Sequence, residues 1–289
     1  MNDRKGFLTP ALGVRATPYI KRLSAQWLFS VIEHILNLCC RPSLPAETIY
    51  KPAASTVQNA GVTYTCIGVM LTIISATPSP YARMNRIALL EKGIPFELKN
   101  EVPWHESETK TPLYNPLEKL PILLFDDGRE PVYDSAQIQE YIVQKFADKS
   151  PRLVTGDLDT DLKARQIQTL CEGLMDAFVL LFFEMKRDED KQSKPWLDRQ
   201  NRKIDGALKA LNELAKSRKE GSDYLLADVM TIADIAVVCA VGQVDFAGIR
   251  QGWQDKYPGL TAYWKELDAR KNFADTKPVM FDLKHDTVV

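Results

Sequence analysis

The chain of 289 residues holds three histidines, His34, His105 and His285, and no two of them stand at metal-ligand spacing. A zinc centre, or any metal held by imidazoles, is therefore not expected. The five cysteines, Cys39, Cys40, Cys66, Cys171 and Cys239, are odd in number and include no CxxC pair. They predict reduced thiols in a cytoplasmic setting rather than a disulfide framework. Charge of one sign is also missing: the formal net charge is −1. Such a balance gives no long-range pull toward nucleic acid or anionic lipid. Uninterrupted apolar runs are short. Tyr19–Cys40 carries Ile20, Leu23, Trp27, Val31, Ile35 and Leu38 at helical spacing, but Glu33 and His34 interrupt it. It falls short of the roughly 20 apolar residues a bilayer span needs, so neither a membrane nor a nucleic-acid partner is expected.

What is present is a globular composition, 45% hydrophobic and 26% charged, with room for two domains. The charge is unevenly shared. Residues 1–66 carry seven Lys/Arg against three acids, which leaves the remainder of the chain net acidic. Residues 41–56 are rich in Pro, Ser, Ala and Thr, as in a linker. Residues 1–66 thus read as an extension, either a flexible tail or a basic, acid-poor targeting segment that would make the protein mitochondrial.

From Ile67 the texture changes. Val69–Ile74 has the length and β-branching of a strand, and Thr77-Pro78-Ser79-Pro80 ends it. Ser79 suits a helix N-cap and Pro80 the first helical position, for a helix from Tyr81 to Lys92 closed by Gly93. Phe96–Val102 predicts a second strand parallel to the first. Ile122–Phe125 and Pro131–Tyr133 flank Asp126-Asp127-Gly128 and predict a hairpin. Asp134-Ser135 then caps a helix through Ile138, Tyr141, Ile142 and Phe146. The unit β-α-β, loop, β-β-α spans residues 67–147. A polar linker, 148–156, precedes a domain, 157–289, that is helical throughout. Its helices are predicted over Asp157–Lys186, Trp196–Arg218, Thr231–Gly242 and Leu260–Ala269, and Thr231-Ile232-Ala233-Asp234 forms a capping box.

Four motifs in order resemble the glutathione transferase superfamily over about residues 67–280. They are Ser79-Pro80-Tyr81-Ala82-Arg83, Asn115-Pro116-Leu117-Glu118-Lys119-Leu120-Pro121, Asp134-Ser135, and the capping box at Thr231–Asp234. The first is similar to the SPYxR opening of serine-type bacterial and fungal members. The resemblance implies an α/β plus all-α fold: a thioredoxin-like N-terminal domain followed by a transferase-type helical domain. It also implies a homodimer, with glutathione as co-substrate and a small apolar electrophile as the other partner.

On that resemblance Ser79 is the catalytic residue, its hydroxyl stabilising the glutathione thiolate at a helix N-terminus. Lys119 would pair with a glutathione carboxylate, and Leu120, before a cis Pro121, would pair its backbone with the cysteinyl part. Asp134 and Ser135 would hold the γ-glutamyl end. Glu118 departs from the family, which usually has Gly there. Thr77 is a reserve hydroxyl, Arg83 an internal ion-pair partner, and Trp104 and His105 lie in a loop that in the family often contacts the glycine end. Phe178, Phe182 and Phe183 are candidates for the electrophile site, or core. Thiol-disulfide chemistry would need a cysteine where Ser79 stands. A non-catalytic interaction module of the same fold is the reading from another functional class.

Overall fold

The computed structural model describes residues 55–59, 62–66, 69–103 and 109–280. The expected helix Tyr19–Cys40, and Trp104 and His105, lie outside the described residues. The chain divides into two compact units between Gly68 and Val69.

In the first unit, β1 (Ser55–Asn59) pairs antiparallel with β2 (Val62–Cys66), Val57 opposite Tyr64. This corrects the sequence reading, which placed only linker and tail here. The missed signal is legible: Val57, Val62, Thr63, Tyr64 and Thr65 favour strands, and Asn59-Ala60-Gly61 has turn composition.

The second unit begins with a three-stranded sheet of order β4-β3-β5. Its strands are β3 (Leu71–Ser75), β4 (Phe96–Asn100) and β5 (Ile122–Phe125). β3 runs parallel to β4 and antiparallel to β5. Leu71, Ile73, Leu123 and Ile122 are buried in the sheet. The expected hairpin partner Pro131–Tyr133 contributes no strand. Leu123 and Val132 exchange one pair of backbone hydrogen bonds, at 2.9 and 3.0 Å, and pairing stops there. Pro131 has no N–H to extend the ladder.

Helix α1 (Pro80–Glu91) follows β3 and buries Ala82, Met84, Ile87, Ala88 and Leu89. A single turn, α2 (Thr111–Tyr114), precedes the loop to β5, and α3 (Ser135–Lys145) completes this domain. Leu153 in the connecting segment accepts a hydrogen bond from the N–H of Ile232, pinning the linker to the second domain at 3.1 Å.

That domain is helical: α4 (Leu158–Met185), α5 (Lys194–Lys216), α6 (Ile232–Ala247), α7 (Trp253–Lys256), α8 (Pro258–Asp268) and α9 (Lys271–Ala274). α4 is long and apolar enough to cross a membrane by length and composition. Its buried residues Ala164, Ile167, Cys171, Leu174, Phe178 and Leu181 recur at helical spacing and pack on α5 and α6, as in a core helix. The fold is thus a thioredoxin-like domain with a small sheet, followed by a helical domain.

α6 is the centre of this domain, with Ile235 through Val241 all buried. It runs past Gly242, where the sequence reading ended it, to Gly248 at φ +65°. Gly242 serves proximity rather than termination: a Cβ there would stand 2.7 Å from Arg83 Nη1.

The start of α6 is held by Asp234, which has no exposed surface. One carboxylate oxygen accepts from the Thr231 N–H at 2.7 Å and the Thr231 hydroxyl at 2.9 Å. The other accepts from the Leu225 N–H at 2.9 Å and the Tyr263 hydroxyl at 2.6 Å. Burial raises the Asp234 carboxyl above its ordinary range, and the hydrogen bonds oppose that rise. Asp234→Ala would strand several buried donors at a cost of about 3 kcal/mol or more. Thermal denaturation should show a melting temperature lower by roughly 6–12 °C.

Candidate functional site

The strand-to-helix turn after β3 is built by its own composition. Ser79 is extended, at φ −74° and ψ 115°, and its Oγ accepts from the Ala82 N–H at 3.2 Å. Pro80 opens the helix where an N–H would have no helical partner. The Ser79 hydroxyl therefore caps through its lone pair and keeps its proton for another acceptor.

The loop before β5 is organised by Asn115, which is buried. Its Nδ2 donates to the Lys119 carbonyl at 2.9 Å, and its Oδ1 accepts from the Leu117 N–H at 3.0 Å. The Leu120-Pro121 peptide is cis. Glu118 sits at φ +52°, in the left-handed region where a glycine has no Cβ penalty. At α3, Asp134 is the N-cap, its carboxylate accepting from the Ala136 N–H at 3.1 Å. Ser135 is buried and its hydroxyl donates to Glu172 Oε1 at 3.2 Å.

These three turns converge. Ser79, Lys119, Leu120, Pro121, Asp134 and Ser135 all line one cleft of about 730 Å³. The opposite wall comes from the helical domain: Glu172, Asp176, Phe178, Phe182 and Phe183 on α4, Phe246 on α6, and Met280. Phe178 is buried as well as cleft-lining, so the choice between core and site dissolves for it. Phe182 and Phe183 pack edge to face at 5.5 Å.

Two acids that the sequence reading did not single out belong to the site. The Tyr81 hydroxyl donates to Asp176 Oδ1 at 2.6 Å. Burial, and then that bond, raise the Tyr81 phenol far above its ordinary value, so it stays protonated. Burial raises the Glu172 carboxyl too, with the charges of Asp134 and Asp176 adding to the rise. Hydrogen bonds from Gln168 and Ser135 pull it down. The available signal was an acid pair four residues apart in the most apolar stretch of α4, residues 170–183.

Thr77 does not line the cleft, which corrects its place as a reserve hydroxyl. Its Oγ1 is buried and without a hydrogen-bond partner among the described residues. The Cys171 and Cys239 thiols are fully buried, and burial pushes Cys239 up to about 12, so neither offers a thiolate near neutrality. Among the described residues no three His, Cys, Asp or Glu side chains gather as a metal-holding group.

Family models for the glutathione S-transferase N-terminal and C-terminal domains match residues 78–145 and 194–265. The uncharacterized GST-like protein YibF of Escherichia coli is 34% identical over 206 residues, covering 71% of this chain and 98% of that protein. The chain belongs to the glutathione S-transferase family. Among solved transferases, one from Methylobacterium radiotolerans, in complex with glutathione sulfonate, is 44% identical with a TM-score of 0.68. It covers 76% of this chain, and all of that chain is matched. One from Methylobacillus flagellatus, with glutathione bound, is 29% identical with a TM-score of 0.66, over 72% of this chain and all of the other.

The positive φ at Glu118 gives a physical reason for the glycine that transferases usually have there. Glu118→Gly trades about 1 kcal/mol of left-handed strain for a similar gain in unfolded-chain entropy, so the melting temperature should barely move. Glu118→Val, β-branched at the same φ, should cost about 1–2 kcal/mol. Denaturant midpoints of the two variants measure the difference.

Proposed function

We propose that this transferase adds the thiolate of glutathione to a small hydrophobic electrophile, and that Ser79 is the residue that stabilises the thiolate. The carrying observation is that Ser79 lines the cleft and its Oγ caps α1 as an acceptor, 3.2 Å from the Ala82 nitrogen, with its proton still to give. The reading is serine-type, carried by Ser79-Pro80-Tyr81-Ala82-Arg83.

The chemistry follows from what each group offers. Glutathione loses its thiol proton to solvent, and the sulfur anion accepts a charge-assisted hydrogen bond from Ser79. The N-terminus of α1 adds positive potential at the same point. Leu120 supplies backbone pairing to the cysteinyl part, Lys119 a cation for a carboxylate, Ser135 the α3 N-terminus for the other carboxylate, and Asp134 an anion for the ammonium. The electrophile then sits against Phe178, Phe182, Phe183 and Phe246, and the sulfur–carbon bond forms as the leaving group or π-electron pair departs. Support comes from the family and from the solved relatives that hold glutathione or glutathione sulfonate.

Ser79→Ala should leave the fold and most glutathione affinity intact. Turnover near pH 7 should fall roughly ten- to over a hundredfold, as loss of about 1.5–3 kcal/mol from a charge-assisted bond requires. The pH at which bound glutathione ionises should rise, because a donor to the anion has gone. Thiolate absorbance of bound glutathione against pH, beside a conjugation assay, reads both. The Glu118 side chain, with its acid next to Lys119, favours a second reading, a glutathione-binding module without catalysis. An unchanged thiolate titration in Ser79→Ala would select it.

A homodimer is part of the same proposal, by family membership. Sedimentation at micromolar concentration should give twice the chain mass of 32.7 kDa.

A further inference from the structure

Arg83 is only 2% exposed, and a guanidinium cannot shed its charge, so every contact it makes is forced on the fold. Its Nη2 donates to Asp268 Oδ1 at 2.6 Å and to the Phe273 carbonyl at 2.9 Å, and its Nε to Thr276 Oγ1 at 3.4 Å. Gly242 leaves it room from the side of α6. All three acceptors belong to the last described stretch of the chain. That stretch then crosses to the other side of the cleft. Lys277 Nζ meets the second Asp268 oxygen at 3.0 Å. The Val279 N–H donates to the Thr77 carbonyl at 3.4 Å, two residues before Ser79. Met280, 56% exposed, lines the cleft with the aromatic residues of α4.

We propose that Arg83 is a positioning residue: it clamps residues 276–280 as a strap from the helical domain to the Ser79 turn. The strap sets how tightly the apolar substituent on sulfur is held. Arg83 holds Asp268, Phe273 and Thr276 and so fixes the chain leading into the strap. Lys277 on Asp268 secures its start, the Thr77 carbonyl fixes its far end, and the Met280 side chain is what the substituent meets. The inference rests on the reading that an apolar group enters this cleft beside the glutathione sulfur. Glutathione itself, bound on the Leu120 and Ser135 side, owes little to the strap.

The test uses the full chain, Arg83→Lys, Thr276→Val, a truncation ending at Lys277, and Arg83→Lys combined with that truncation. Calorimetry compares glutathione with S-hexylglutathione, and hydrogen exchange follows residues 276–280. The truncation should leave glutathione affinity unchanged and cut S-hexylglutathione affinity about tenfold, the worth of one or two buried methylenes. Arg83→Lys keeps the charge but loses the fork, so it should show the same loss with fast exchange in 276–280. Thr276→Val, the milder change should Arg83→Lys fold poorly, should move both readings the same way by a few fold. The combined variant should lose no more than the truncation alone. Losses that multiply, or a lower melting temperature in Arg83→Lys and Thr276→Val with the S-hexyl preference intact, would make Arg83 a structural ion pair and overturn the proposal. Failure of the wild type to bind either compound would instead sink the transferase reading. The exchange arm, which needs no ligand, would still decide whether Arg83 fixes the strap.

Discussion

A permanent charge lies buried where the two domains of the transferase fold meet, and much of the architecture answers to it. Arg83 projects from α1, the helix whose N-cap is Ser79. Taking its guanidinium out of water costs several kcal/mol, recovered only where the geometry satisfies it. The satisfying groups come from α8, α9 and Thr276 just beyond them, and the space comes from a glycine on α6. Removing Asp268 would leave the buried Arg83 guanidinium without its counter-charge, at about 3–5 kcal/mol. The α1 turn that presents Ser79 is thereby seated on the helical domain, and the cleft is the gap beside that seat.

The cleft combines two chemical characters. One wall is a set of turns and helix N-termini, suited to a zwitterionic peptide with carboxylates at both ends. The other is aromatic and apolar, suited to an electrophile that prefers to leave water. Glu172 and Asp176 mark the seam. Glu172 lies where burial and like charge raise its carboxyl, while Asp176 accepts a short hydrogen bond from the Tyr81 hydroxyl. That bond commits the Tyr81 hydroxyl to the acid. Of the cleft-lining hydroxyls on the α1 turn, Ser79 is the one with a proton to spare.

Much of this was legible in the chain itself, because it rests on local rules. Ser79-Pro80 is a helix start by capping chemistry, Asp134-Ser135 likewise, and Thr231-Ile232-Ala233-Asp234 a capping box. Parallel pairing of β3 and β4 follows from the length of the crossover helix. The misreadings have local causes too. Gly242 looks like a helix stop because glycine lowers helix propensity, and nothing nearby in sequence reveals the guanidinium that needs the gap. Pro131–Tyr133 resembles a strand after Asp126-Asp127-Gly128, yet its proline leaves one bridge in place of a ladder. The β1–β2 hairpin was hidden by the linker-like composition that precedes it.

The sequence by itself determined the order β3, α1, β4, β5 and α3, the long helices after them, the helix caps and the family. All of these depend on residues within a few positions of one another, or on distinct motifs standing in a fixed order. Tertiary structure alone decided which groups share the cleft. Ser79, Leu120 and Ser135 are brought together by the β3-centred sheet, and α4 adds Glu172, Asp176 and the phenylalanines. It also decided that Thr77, two residues from Ser79, does not line the cleft, and that residues 276–280 return to the turn where the site begins. The physical reason is range: capping and strand pairing by short connections are written into neighbouring residues. Desolvation of a charge such as Arg83 is settled by whatever the rest of the chain can bring to it, here from 185 and 190 positions away.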